Sequence, residues 1–179
     1  MKSRNSLIVL TVAALALSLL ALPAAAERGD DSKRASKNGK TTGSAGGAEV
    51  VVEYGRPNVK GRTIWGGLVP YGKVWRTGAD EATTITFGSD VTVEGEPLAA
   101  GTYSLFTIPG EDEWTIVFNE TAEQWGAYNH DAGKDVLRVT VEPRAGEEMV
   151  EAMDFVVEDD AVVLRWEKVE VPFTVGSAG

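Results

Sequence analysis

The residues best suited to hold a ligand are concentrated between Tyr54 and Ala79. This range contains five basic residues, six glycines, four large aromatic residues and no acid. Its C-terminal part combines the rings of Tyr71 and Trp75 with the cations of Lys73 and Arg76, as well as Gly72 and Gly78. Aromatic faces offer stacking surfaces, and Lys and Arg bind carboxylates and phosphates. The pattern predicts either a ligand site or a basic loop system held by acidic neighbours in the same domain.

Further candidates lie at Glu81 and in a second aromatic segment that contains the only histidine of the chain. The predicted ligand-binding residues are Tyr71, Lys73, Trp75, Arg76, Glu81, Trp125, Tyr128 and His130. An alternative interpretation gives Glu81 a structural role, as the ion-pair partner of Arg76 or another nearby base, because half-buried acids are usually paired.

The known motifs for nucleotide and metal binding are incomplete in this chain. Gly67–Lys73 matches the start of a phosphate-binding loop, but Val74 stands where a Ser or Thr must hold magnesium. Pro70 also removes a backbone N–H from that loop. With one histidine, His130, and no cysteine, a zinc site would need carboxylates for its other ligands. We therefore expect no metal and no cofactor.

Three function classes remain open on the sequence. The favoured one is a non-catalytic domain that binds a small molecule, a glycan or a protein. The second is an enzyme, a glycan hydrolase, which needs only two carboxylates on either side of a cleft. Its candidate carboxylates are Asp80, Glu81 and Asp131. A structural or assembly factor is the third, and it requires the arginines of the basic segment to be engaged by acids of their own domain. These arginines are Arg56, Arg62 and Arg76.

The N-terminal residues predict a secretory signal peptide over residues 1–26. Lys2 and Arg4 give a positive start, an apolar run covers residues 7–22, and three alanines at 24–26 form a small-residue cleavage pattern. We expect export to the periplasm or the cell exterior. No later stretch is long and apolar enough to predict a membrane span after cleavage.

Composition divides the rest of the chain. Residues 27–48 mix charged residues with Gly, Ser and Thr, which predicts a flexible linker. Residues 49–175 predict a single β-rich domain, and residues 176–179 a disordered tail. The chain carries 17 basic and 27 acidic residues, for a net charge of −10, so nucleic-acid binding is not expected.

Apolar and polar residues alternate through most of this domain, as they do in half-buried strands. The alternating segments are Thr83–Phe87, Trp114–Asn119, Leu137–Val141, Val162–Trp166 and Val169–Val175. Tyr103–Ile108 is apolar on both faces, which predicts a central strand, and Gly146–Met153 is a weak helix candidate. We expect an all-β fold, an antiparallel β-sandwich or alternatively a small closed barrel, with long loops and little helix.

Several long runs of the domain match a known family without gaps. They include Tyr54–Pro57, Lys60–Gly72, Val74–Ala79, Ala100–Phe106, Trp114–Asn119, Gln124–Tyr128 and Lys134–Val139. These runs resemble the bacterial secreted domain of unknown function 2911, over the range from about Glu49 to about Val175. The resemblance implies an exported protein with a β-rich domain. It implies no reaction, ligand or catalytic residues.

Overall fold

A computed structural model describes residues 28–179, so the predicted signal peptide at 1–26 lies outside the described residues. This part of the chain forms ten strands and one short 3₁₀ helix, Ala132–Lys134. The strands are β1 (Lys37–Ala45), β2 (Ala48–Arg56), β3 (Thr83–Phe87), β4 (Val91–Val93), β5 (Glu96–Leu98), β6 (Gly101–Ile108), β7 (Trp114–Asn119), β8 (Asp135–Val141), β9 (Arg144–Val157) and β10 (Ala161–Ser177). Within residues 28–179, no helix has the length and apolar character needed to cross a membrane.

The strands form two antiparallel sheets. One sheet has six strands in the order β1-β2-β3-β6-β7-β8, and the other has four in the order β5-β4-β10-β9. The sheets do not close into a barrel. The predicted all-β sandwich with little helix is therefore confirmed.

The period-two pattern is reflected in the core. On β7, Trp114, Ile116 and Phe118 enter the main core between the sheets. Val117 points the opposite way and packs with Phe106 in a second, smaller cluster. Strand β6 lies inside the six-stranded sheet and contributes to both clusters, as predicted for a strand that is covered on both faces.

Strand β1 lies inside the range predicted to be a flexible linker, so the prediction for 27–48 is wrong at this point. β1 pairs with β2 over its whole length, from Lys37 opposite Arg56 to Ala45 opposite Ala48. Its ladder is made by backbone groups, which need no apolar side chains, and an edge strand can remain polar. At the other end β10 continues to Ser177, so the predicted tail at 176–179 also begins too early.

The weak helix candidate Gly146–Met153 is wrong as well. It lies within β9, the edge strand of the four-stranded sheet, which pairs with β10. Exposed charged residues occupy much of β9, and the backbone ladder to a long partner strand decides its conformation.

Residues 57–82 connect β2 to β3 without forming a regular strand, and they contain most of the acid-free segment. The segment is fixed to the sheets at several points. Trp75 forms an isolated bridge to Thr107 of β6, and the Ala79 N–H donates to the carbonyl oxygen of Gly55 at 3.3 Å. A Cβ added to Gly55 would lie 2.2 Å from the Ala79 carbonyl oxygen, so a glycine is required at this close approach.

Replacing Gly55 by alanine should therefore push the connection away from β2. We expect Gly55→Ala to lower the unfolding free energy by about 1–3 kcal/mol, the typical cost of overpacking. Urea denaturation of the purified protein measures this loss. Ser44→Ala, at an exposed position on the adjacent strand β1, is the control and should remain close to wild type; equal stability of the two variants would contradict the close contact.

Candidate functional site

Four of the five tryptophans meet in one cluster that ties the connection to both sheets. Trp114 comes from β7 and Trp166 from β10, whereas Trp65 and Trp75 belong to the connection. The Trp65 ring lies edge-on to the other three, with centroids 4.9–5.9 Å apart. Trp75 and Trp166 are stacked at 5.8 Å with an interplanar angle of 18°. The cluster fixes the position of the basic segment.

The backbone on both sides of Arg76 is held firmly. Trp75 exchanges two hydrogen bonds with Thr107, at 2.8 and 3.0 Å. The Thr83 hydroxyl donates to the Thr77 carbonyl oxygen at 2.7 Å. Thr77 has a φ of 53°, which is costly for a β-branched residue and persists only where the surrounding structure enforces it. Arg76 is thus presented by a constrained backbone.

Arg76 lines an open pocket of about 480 Å³, which we name the Arg76 pocket. Its walls come from the connection, from residues 35–36 ahead of β1, and from β10. The side chains in its wall that carry charge or an aromatic ring are Lys60, Arg62, Trp75, Arg76, Asp80 and Trp166. The wall of this pocket therefore carries three cations and one acid.

Arg76 has no acidic partner within residues 28–179, and its buried Nε has no hydrogen-bond acceptor there. Arg62 donates to the carbonyl oxygen of Val59 at 3.1 Å and to that of Asn58. Arg56 donates to the carbonyl oxygen of Met153 at 3.1 Å. None of the three arginines is paired with an acid of the described chain, so the condition for a purely structural role is not met.

Two tryptophan donors in the cluster are also unsatisfied. The Nε1 atoms of Trp65 and Trp166 are buried and have no acceptor in the part of the chain that the structure describes. The two rings are 5.6 Å apart. A buried N–H without an acceptor costs about 1–3 kcal/mol, and folded proteins leave few of them. Trp166 lines the Arg76 pocket together with Arg76, whereas Trp65 lines a smaller, neighbouring pocket with Trp114.

Glu81 is the centre of a different contact, which we name the Glu81 latch. Its carboxylate accepts two hydrogen bonds from Arg34, at 2.6 and 2.7 Å, and one from Arg28 at 3.1 Å. Arg28 also donates to the carbonyl oxygens of Glu81 and Ala82. The hydrogen bond from Arg34 holds the pKa of Glu81 below its usual value. Glu81 thus has the ion-paired role given above as the alternative, but its partners are Arg28 and Arg34, which lie ahead of β1, and not Arg76.

The side chain of His130 is held in place by Asp135 and Phe106. Its Nε2 lies 2.9 Å from Asp135 Oδ1, and its ring packs edge-on against Phe106 at 4.9 Å. Asp135 also accepts hydrogen bonds from Asn119 and Arg138. Burial opposes ionisation of Asp135, but these hydrogen bonds outweigh it and keep its pKa below the usual value. The imidazole is occupied by this network and lies outside the Arg76 pocket.

The family assignment follows from a match that covers most of the chain. A family model described as protein of unknown function (DUF2911) matches residues 36–175. The chain belongs to this family. The match begins just ahead of β1, so the DUF2911 domain includes the strand that composition assigned to a linker. No curated protein and no solved structure matches the chain.

Of the eight predicted ligand residues in this DUF2911 domain, Trp75 and Arg76 line the Arg76 pocket together, and the other six are not part of its wall. Tyr71 lines a smaller pocket of about 250 Å³ that also contains Trp65 and Trp114. Lys73 is exposed and is not part of either wall. Trp125 and Tyr128 are exposed on the loop after β7, at 56% and 85% of their surface. The residues predicted as one site are thus distributed over several regions.

The three candidate acids of a hydrolase have different environments. Asp80 lines the Arg76 pocket, Glu81 is held in the Glu81 latch, and Asp131 caps the 3₁₀ helix by accepting from the Gly133 N–H. The sequence interpretation missed Trp166, because its alternation indicated only a buried strand position. It also did not include Lys60 among the ligand residues. The position of Lys60 in the acid-free segment, next to Gly61, could have indicated it.

The Glu81 latch predicts a pH-dependent contribution to stability. Since the folded state lowers the pKa of Glu81, the latch contributes fully above the unfolded value of about 4.3 and is lost as pH falls through the lower folded value. Glu81→Gln should be less stable than wild type at pH 7, and the difference should shrink as the pH falls below about 4. Urea denaturation across this pH range measures it.

Glu96→Gln is the matched control, because Glu96 is exposed and makes no ion pair among the described residues. Hydrogen exchange should also become faster at residues 28–36 in Glu81→Gln and stay unchanged in the control. A stability difference that is independent of pH would contradict the assigned role of the carboxylate.

Proposed function

We propose that this protein is a non-catalytic binding domain that holds an anionic group, a carboxylate or a phosphate, in the Arg76 pocket. The observation that carries the proposal is the state of Arg76. The residue is half-buried, lines the pocket with Trp75 and Trp166, and forms no ion pair in residues 28–179; its buried Nε has no acceptor there. A buried N–H donor without an acceptor is unfavourable, and a bound anion would supply the missing partner.

The charges around the pocket support the same ligand class. Lys60 and Arg62 are on the same wall as Arg76, and Asp80 is the one acid among the described lining residues. The chain as a whole is strongly acidic, at −10. At physiological ionic strength, charges are screened over about 8 Å, so the nearby cations dominate the field inside the pocket.

A second depression shows why charged residues in a pocket wall do not by themselves indicate an anion-binding site. It measures about 610 Å³ and is lined by residues of β9 and β10. Its two arginines already have acidic partners: Arg144 pairs with Glu170, and Arg165 pairs with Asp154. Cations that are already neutralised gain little from a bound anion. The Arg76 pocket differs because its cations have no acidic partners among residues 28–179.

Binding is favoured over catalysis by the composition of the pocket. A glycosidase needs two carboxylates across the scissile bond, and Asp80 alone lines this wall among the described residues. His130, the only histidine, is engaged by Asp135 elsewhere. We propose that the protein acts after export, as its N-terminal sequence predicts, and captures its ligand without converting it.

Replacing Arg76 should separate binding from stability. We expect Arg76→Met to weaken the binding of inorganic phosphate or acetate by about tenfold or more, the equivalent of one charged hydrogen bond. The ligand-free variant should be as stable as wild type or more stable, because an unpaired half-buried charge has been removed. Isothermal titration calorimetry and urea denaturation measure the two effects.

Lys73→Met is the matched control, since Lys73 is an exposed cation in the same segment but outside the pocket wall. It should leave both quantities unchanged. The stacked pair Trp75–Trp166 also provides an intrinsic fluorescence signal for titration. Absence of anion binding by wild type, or equal affinity of wild type and Arg76→Met, would refute the proposed function.

A further inference from the structure

Asp80 indicates that the ligand carries more than an anionic group. Asp80 lines the Arg76 pocket, and its carboxylate forms no ion pair or side-chain hydrogen bond within residues 28–179. A bare anion would be repelled by this carboxylate. The same carboxylate is an acceptor for a ligand that also brings hydroxyl donors.

The position of Asp80 is enforced by its surroundings. Its φ of 63° lies in the left-handed region, and its carbonyl oxygen accepts a hydrogen bond from the Gly126 N–H at 3.0 Å. The next residue, Glu81, is held by Arg28 and Arg34. Asp80 is therefore presented by a backbone that is fixed on both sides, which is the arrangement expected of a preorganised contact.

Part of the remaining wall is apolar and aromatic. Trp75 lines the pocket beside the buried Trp166, and the side chains of Leu68 and Val69 continue this surface. Such a wall suits the C–H face of a sugar ring, which packs on apolar and aromatic side chains while its hydroxyls bond to polar groups. A volume of about 480 Å³ is also larger than a phosphate or carboxylate group alone requires.

We propose that the ligand of the Arg76 pocket is an acidic sugar, a ring with several hydroxyl groups that carries a carboxylate or a phosphate. This inference rests on the proposed anion-binding function. Arg76, with Lys60 and Arg62, binds the acidic group; Asp80 accepts hydrogen bonds from ring hydroxyls. The apolar wall at Trp75 contacts the C–H face of the ring.

Calorimetric titration of wild type with five probes tests the assignment. Inorganic phosphate is the bare anion, glucose the neutral sugar, and cyclohexanecarboxylate a ring with an acid but no hydroxyls. Glucuronic acid and glucose 6-phosphate are the two acidic sugars, and they distinguish a carboxylate from a phosphate. At least one acidic sugar should bind about tenfold more tightly than each of the other three probes, because it alone uses all three parts of the pocket.

The variant Asp80→Asn gives the sharper result, because its two effects have opposite signs. Asparagine tolerates the left-handed backbone conformation, so the fold is retained. The substitution should weaken the preferred acidic sugar by about tenfold, through loss of a charged acceptor, and should strengthen inorganic phosphate by removing a nearby negative charge. Glu123→Gln, at an exposed acid of the loop after β7, should change neither affinity.

The possible failures are distinguishable. If phosphate binds in an Arg76-dependent manner but no acidic sugar binds more tightly than phosphate or cyclohexanecarboxylate, the sugar assignment is overturned and anion binding stands. If Asp80→Asn strengthens the sugar and phosphate alike, Asp80 does not contact hydroxyls and the assignment also fails. If no anionic probe binds wild type, both the assignment and the proposed function fail.

Discussion

The tryptophan cluster is the constraint on which the candidate site depends. Trp114 belongs to the six-stranded sheet and Trp166 to the four-stranded sheet, while Trp65 and Trp75 come from the connection between β2 and β3. Aromatic pairs of this geometry add about 0.5–1.5 kcal/mol each beyond the burial of their surface. A long connection without regular structure therefore acquires a fixed position, and the basic residues that it carries acquire a fixed direction.

This arrangement leaves polar groups in the interior that the described chain does not satisfy. The Nε of Arg76 and the Nε1 atoms of Trp65 and Trp166 lack acceptors, and Thr77 adopts a strained backbone conformation. Such features reduce stability, and they persist where a site is arranged for a function. Elsewhere the same fold pairs half-buried charges, as at Arg165 and Asp154. This contrast is the physical basis of the anion-binding function that we propose for the Arg76 pocket.

Much of the fold could be predicted because strand patterns are local. Trp114, Ile116 and Phe118 alternate with outward residues, and this spacing alone indicates a half-buried strand. Strand β1 could not be predicted in the same way, since its sequence of Lys, Thr, Gly and Ser has no apolar periodicity. Its pairing depends on backbone hydrogen bonds to β2, which are available to almost any sequence once a partner strand is placed beside it.

The candidate site shows the same division more clearly. The sequence by itself determined the fold class, the family, and the acid-free segment in which Trp75 and Arg76 stand together. The tertiary structure decided the rest: Trp166 lies against Trp75, Glu81 is held by Arg28 and Arg34 rather than by Arg76, and His130 is engaged by Asp135. The physical reason is that side-chain alternation and composition are properties of neighbouring residues. Contacts between remote residues depend on strand register and sheet packing, which no local pattern specifies.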